Sequence, residues 1–184
     1  MMNKIQIADK EFELLLENDQ ISKKTRLIAI QLEVDYESRC PVFIGVLNGS
    51  FIFMADLLKE INISCEVGFI KVSSYSGTES SGQVKDIFGL PDNLHNRDVI
   101  LVEDIVDTGL TLTHILKAVR KQKPASVAIC SLLLKPAALK APIEELEYVG
   151  FEIGNEFVVG YGLDYDGLGR NLKDIYRAKT VANP

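Results

Sequence analysis

The 184-residue chain carries 26 acidic and 20 basic residues, a formal charge of −6, with 47% apolar and 25% charged residues. That length supports a full hydrophobic core, and the composition is ordinary for a soluble globular protein. The acidic balance, with no basic run beyond Ser22–Arg26, speaks against a nucleic-acid binder that works by phosphate neutralisation, and no stretch approaches the roughly 18 apolar residues of a membrane span.

Phosphorylated small molecules stay open, because a local nest of N–H groups and one metal can overrule a negative average. The start of the chain, MMNKIQIADKEFELLLEN, has no apolar segment of the secretory kind. A reduced, cytoplasmic compartment is the expectation. Cys40, Cys65 and Cys130 are odd in number and lack metal-ligand spacing; Cys65 and Cys130 sit in apolar stretches as small hydrophobes.

In chain order, Asp9 is placed to cap a first helix carrying Phe12, Leu15 and Leu16 on one face. A second helix is expected from about Ser22 to Tyr36, with Leu27, Ile30 and Val34 at helical spacing. Pro41–Leu47 reads as a buried strand running into Asn48-Gly49-Ser50, where Ser50 caps a helix from Phe51 to about Glu60. A second strand spans Cys65–Ser73. The Ser/Gly-rich segment Ser73–Gly89, SSYSGTESSGQVKDIFG, fits either a linker or an active-site lid.

Val99–Val102 is an apolar strand, followed by Glu103, Asp104 and, three residues on, Asp107. Thr108, Gly109 and Thr111 then open a helix with Leu112, Ile115, Leu116 and Val119 on one face. Ala125–Leu134 is almost continuously apolar, as in a parallel strand covered on both faces. Tyr148–Ile153 and Glu156–Tyr161 are shorter strand candidates. Alternating strands and helices imply an α/β domain with a central parallel sheet flanked by helices, spanning residues 1–184.

Ligands of such sheets sit at the carboxyl ends of the strands. Three loops leave such ends: Asn48-Gly49-Ser50, Glu103–Thr111 and Lys135-Pro136. The second combines hydroxyl donors, free backbone N–H groups and the positive end of a helix dipole, which together make an anion site suited to phosphate. Carboxylates beside a phosphate repel it, so they serve another part of the ligand: sugar hydroxyls, a cation or a developing positive charge. On the residues alone, Asp107 equally suits a helix cap, Lys135 and Arg170 surface charges, and Phe157 core.

The motifs VLNGSF, VSSY, VEDIVDTGLT, SLLLKP and FVVGYGLDYD, with Arg170, resemble those of hypoxanthine-guanine phosphoribosyltransferases from about Val42 to Arg177. The resemblance implies the type I phosphoribosyltransferase fold, with a small hood built from N- and C-terminal segments. It also implies purine salvage: transfer of a 5-phosphoribosyl group from phosphoribosyl pyrophosphate to hypoxanthine, and to guanine, giving the nucleotide and pyrophosphate, with magnesium as cofactor. The transition state of such a transfer is oxocarbenium-like, so positioning and charge stabilisation carry the catalysis.

By the same resemblance, Asp107, Thr108, Gly109, Leu110 and Thr111 cradle the 5-phosphate. Glu103 and Asp104 face the ribose hydroxyls and a hydrated magnesium ion, a hard cation that keeps much of its water. Asp107 is the general base or acid near purine N7. Lys135 donates to the 6-oxo group, and Phe157 and Val158 supply a stacking face and backbone contacts. Asp164 closes the base pocket as a ligand of the pyrophosphate-side magnesium. Asn48, Gly49 and Arg170 hold pyrophosphate, and Ser74 and Tyr75 form the tip of a lid that excludes water.

Because an ammonium offers only donors, Lys135 implies rejection of adenine. The family's pyrophosphate loop has a non-proline cis peptide preceding its glycine. Two departures stand out: Asn48 takes the place of a base carried by many members, and Leu110 that of a residue often polar or basic. The resemblance also suggests a homodimer or homotetramer, with no nucleic acid or membrane partner. Competing expectations are a xanthine-preferring enzyme and a regulator of the same fold that senses phosphoribosyl pyrophosphate or nucleotides. His95 and His114 have no nucleophilic triad around them.

Overall fold

The computed structural model describes residues 4–74 and 84–179. It begins with a hairpin where a helix was expected: β1 (Lys4–Ile7) and β2 (Lys10–Leu16) pair antiparallel through a two-residue turn at Ala8-Asp9. Phe12, Leu15 and Leu16 do fall at helical spacing, but Ile5, Ile7, Phe12 and Leu14 also alternate. That second pattern wins, because all four pack into one cluster with Val159 and Tyr176. Its deciding partner is far away in sequence.

Helix α1 (Asn18–Asp35) starts four residues before the expected Ser22, set by a capping box in which the Glu17 N–H donates to Gln20 Oε1 at 2.9 Å. Its buried face is Ile21, Thr25, Ile28, Ala29 and Leu32. Leu27, Ile30 and Val34 stand on the opposite side, exposed to solvent.

Strand β3 (Val42–Leu47) leads into α2 (Phe51–Lys59) as expected. Ser50 occupies the N-cap, yet its hydroxyl donates backwards to the Val46 carbonyl at 2.7 Å instead of capping the helix. There follow β4 (Glu66–Ser74), β5 (Val84–Phe88), β6 (Asp98–Val106), α3 (Leu110–Lys121), β7 (Ser126–Leu134) and β8 (Leu146–Glu152). The chain ends on β9 (Val158–Val159) and β10 (Ile175–Ala178).

The larger sheet has the order β5-β4-β3-β6-β7-β8, parallel except for β5, which pairs antiparallel with β4. A parallel strand set covered on both faces is what the continuous apolar runs require. One face, carrying Phe43, Ile100, Val102 and Cys130, packs with α1 and α2. The other, carrying Ile44, Leu101 and Ile129, packs with Leu112, Ile115 and Val119 of α3.

The smaller sheet, β1-β2-β10-β9, is assembled from the two ends of the described chain. Three of its strands were unreadable locally: β1, β2 and β10. The expected strand Glu156–Tyr161 contracts to two residues, because Gly160, Tyr161 and Gly162 all adopt positive φ.

Candidate active site

Strand β6 is longer than its apolar start suggested, and it carries Glu103 and Asp104 within it. Only Asp107, Thr108 and Gly109 remain for the loop before α3. Gly109, at φ 77, is the N-cap of α3, and a Cβ there would lie 2.8 Å from Ile143 Cδ1. The left-handed backbone and the close neighbour both call for glycine.

This loop and helix end enclose a cavity of about 100 Å³ lined by Glu103, Val106, Asp107, Thr108, Gly109 and Thr111 among others. First-turn N–H groups of α3 and its dipole make the cavity attractive to an anion. Leu110 does not line it; its side chain is exposed, and its N–H lies 3.5 Å from Thr108 Oγ1. Asp107 makes no capping bond to α3. Its Oδ2 instead accepts from Lys135 Nζ at 2.9 Å. Lys135, at the end of β7, is only 8% exposed, so the strand-end lysine is no ordinary surface charge.

Burial raises the Glu103 carboxyl well above the usual range, and the neighbouring charge of Asp104 pushes the same way. Burial likewise raises Asp104 to about 6, against the pull of the Ile105 N–H, which donates to Oδ1 at 2.9 Å, and of the Arg170 charge. Two adjacent carboxylates held in these surroundings form a site that a cation would relieve. Among the described residues, no three His, Cys, Asp or Glu side chains group as a ready metal cage.

Asp104 also explains the glycine of the Asn48-Gly49 loop: a Cβ at Gly49 would overlap the Asp104 carboxylate. The peptide bond before Asn48 is cis. From the other side, Gly162 comes so close that a Cβ on it would overlap the Gly49 carbonyl.

Gly162 belongs to the same unit as Arg170. Arg170 Nη1 donates to the Gly162 carbonyl at 2.7 Å, and the Gly162 N–H donates to the Arg170 carbonyl at 2.9 Å. Arg170 Nη2 also pairs with Asp164 Oδ1 at 2.6 Å, while Asp164 Oδ2 accepts from the Gly167 N–H. The structure therefore joins Asp164 and Arg170 directly.

Phe157 is 46% exposed, so it is not plain core. Its ring meets Phe12 and Tyr165 at centroid distances of 6.4 and 5.8 Å, with Lys10 Nζ 5.7 Å from its centre. Val158 is buried in β9. Ser74 ends β4; Tyr75 lies outside the described residues.

Residues 13–166 match the phosphoribosyl transferase domain model. The chain belongs to the phosphoribosyl transferase family. Among its relatives, this phosphoribosyltransferase is 44% identical over 160 residues to the hypoxanthine-guanine phosphoribosyltransferase of Bacillus subtilis (strain 168), covering 86% of this chain and 88% of the relative. It is 46% identical over 160 residues to the bifunctional protein TilS/HprT of Listeria innocua serovar 6a, covering 86% of this chain but only 24% of that longer protein. A hypoxanthine phosphoribosyltransferase structure from Staphylococcus aureus superposes with a TM-score of 0.82 at 43% identity, covering 91% of each chain.

Two features that pack around these residues were given no role of their own from sequence. One is the Gly160-Tyr161-Gly162 turn, signalled only by its paired glycines. The other is Asp56 on α2, whose Oδ2 accepts the Tyr161 hydroxyl at 2.6 Å. Neither carries the charged, spaced pattern that marks a site.

Proposed function

We propose that the chain transfers the 5-phosphoribosyl group of phosphoribosyl pyrophosphate to hypoxanthine and guanine, releasing pyrophosphate. The observation that carries this reading is the pairing of Lys135 with Asp107 at the rim of the α3 anion cavity. It sets a hydrogen-bond donor for a 6-oxo group and an acceptor for an imidazole proton side by side, next to a phosphate-sized site. The named relatives support the same reading.

In this mechanism, Thr108, Gly109 and Thr111 hold the 5-phosphate, with Leu110 giving only its backbone. Asp107 manages the proton at purine N7, and Lys135 leaves Asp107 to donate to the 6-oxo oxygen. Phe157 offers its exposed face to the base, with Val158 beside it. Asn48, Gly49 and Arg170 take the pyrophosphate; with Asn48 in place of a base, backbone donors and Arg170 supply the positive charge.

Magnesium fits the buried carboxylates. Glu103 and Asp104 would hold a magnesium ion through its water, and Asp164 would ligate magnesium on the pyrophosphate side, where the charge would neutralise the leaving group. We read residues 1–184 as one domain, with the small sheet as a hood over the base and Ser74-Tyr75 at the lid tip, working in the cytoplasm. Among the described residues, no helix is long and apolar enough to cross a membrane.

The test is a steady-state assay with magnesium and phosphoribosyl pyrophosphate, offering hypoxanthine, guanine, xanthine and adenine separately. Turnover of the first two, absent with adenine, is the expected result. No turnover of any purine, with nucleotide still bound, would leave a sensor in place of an enzyme.

A further inference from the structure

Phe157 and Tyr165 meet edge to face, with ring centroids 5.8 Å apart and planes at 78°. The fully buried Phe12 of β2 completes the group, 6.4 Å from Phe157 and 6.1 Å from Tyr165. Phe157 precedes β9, outside any strand, and nearly half of it faces solvent. Exposed side chains exchange rotamers within nanoseconds. A ring placed like this keeps one orientation only if its neighbours hold it there.

The start of β2 supplies that hold. Lys10 Nζ lies over both rings, 4.4 Å from the centre of Tyr165 and 5.7 Å from that of Phe157. Both distances fall within the roughly 6 Å at which a cation is drawn to an aromatic face. Glu11, the next residue, is taken by Lys4 and Lys179, and Lys10 has no ion pair among the described residues.

Asp9, just before it, accepts the Tyr165 hydroxyl at 2.7 Å. That bond holds the Asp9 carboxyl below its ordinary value and pushes the Tyr165 phenol up to about 12, so at neutral pH a phenol donates to a carboxylate. Tyr165 is fixed in its backbone too, exchanging two hydrogen bonds of 3.0 Å with Leu168. Two adjacent residues thus grip Tyr165 by its hydroxyl and its face, and one of them reaches on to Phe157.

We propose that Asp9, Lys10 and Tyr165 are positioning residues for the base: they brace the Phe157 ring in the orientation that stacks on the purine. The inference rests on the reading of Phe157 as the stacking face. None of the four lines the α3 cavity, so the brace acts on the base and not on the 5-phosphate.

Lys10 is the residue to vary, because Tyr165 adjoins Asp164 and changes there would disturb the pyrophosphate side. Lys10→Met keeps the apolar stem and removes the charge. KM for hypoxanthine is expected to rise about two- to tenfold, the scale of ordering one side chain on binding. KM for phosphoribosyl pyrophosphate and kcat hold. Lys10→Arg, whose guanidinium also stacks on aromatic faces, keeps KM for hypoxanthine near that of the parent. Beside Phe157→Leu, Lys10→Met adds nothing further, because its effect passes through that ring.

A second readout needs no turnover. The chain has no tryptophan, so the indole of the Phe157→Trp variant can be excited alone. Its time-resolved anisotropy without ligand is expected to lack a fast component, and adding Lys10→Met introduces one on the nanosecond scale.

An indole equally mobile with and without Lys10→Met overturns the brace. So does a rise in KM for hypoxanthine that persists in full beside Phe157→Leu, or that Lys10→Arg shares. Failure of the underlying reading shows separately, in a parent that turns over no purine or a Phe157→Leu variant with KM for hypoxanthine unmoved. The inference then falls with it.

Discussion

Lys135 Nζ stands 2.9 Å from Asp107 Oδ2, bridging the carboxyl ends of two neighbouring strands. The lysine is nearly buried and the aspartate is half exposed, so the pair is held from the protein side and open to a ligand from the other. A ligand that separates the pair must replace both halves: an acceptor for the ammonium and a proton for the carboxylate. The 6-oxo group and the N7 proton of a 6-oxopurine are such a set.

Asp107→Asn keeps an acceptor for Lys135 but removes the group that handles the proton. We expect kcat to fall by about 10²–10⁴, the usual worth of a positioned acid or base, with a smaller change in KM for hypoxanthine. Rapid-quench single-turnover rates will separate this from slowed product release. A loss confined to KM would assign Asp107 to binding alone.

Lys135→Gln supplies an amide that can turn either its donor or its acceptor to the base. In the proposed mechanism the 6-amino group of adenine would meet another donor at Lys135, and that conflict vanishes in the variant. The ratio of kcat/KM for hypoxanthine over adenine is expected to fall by about 10² or more, within the range set by an unsatisfied polar group. An unchanged ratio would place base selection elsewhere in the site.

The raised Asp104 carboxyl makes a sign-definite prediction about stability. Folded, it stays protonated up to about pH 6; its ordinary value is 3.8. The unfolded chain thus releases this proton first as pH rises. The contribution of Asp104 is fully present below about pH 3.8 and is lost as pH climbs through about 6. Glu103, raised by burial, acts in the same direction.

The melting temperature of the protein minus that of Asp104→Asn should therefore fall by a few degrees from about pH 4 to about pH 7, at roughly 2–4 °C per kcal/mol for a chain of this size. Magnesium with phosphoribosyl pyrophosphate should shrink that fall. A difference that stays flat across this window would refute the assignment.

The stretch from Val99 to Leu116 was legible because one short segment changes period, from a buried strand to an amphipathic helix, with its chemistry at the join. Lys135 was legible only through its neighbours, since a lysine at a strand end looks the same whether solvated or buried. The β1–β2 hairpin was not legible. Phe12 sits at both helical and strand spacing, and the choice is made by β10, more than 150 residues away. α1 was read with its outward stripe as the structural one, because it carries apolar residues on two faces and periodicity cannot say which is buried. The packing of Gly162 on Gly49 had no side-chain signature at all, being a contact of backbone with backbone.

That backbone contact depends on Tyr161. At φ 50 it holds a conformation unfavourable for a bulky residue, and what fixes it is its burial and the 2.6 Å hydrogen bond to Asp56 on α2. The turn it anchors carries the Gly162 carbonyl that accepts from Arg170 and the face that abuts Gly49. Tyr161 thus anchors the turn that carries the proposed pyrophosphate clamp.

Tyr161→Phe removes only the hydroxyl, so stability should drop by about 1 kcal/mol, the worth of one hydrogen bond, because Asp56 Oδ2 loses its donor while Oδ1 keeps its pairing with Lys59. If the hydroxyl positions the clamp, KM for phosphoribosyl pyrophosphate rises several-fold while KM for hypoxanthine holds. Asp56→Asn, which still offers an oxygen to Tyr161, should retain most of the affinity. A variant with lowered melting temperature but both KM values unmoved would make the pair structural only, and the clamp would then owe its geometry to Asp164 and Arg170 alone.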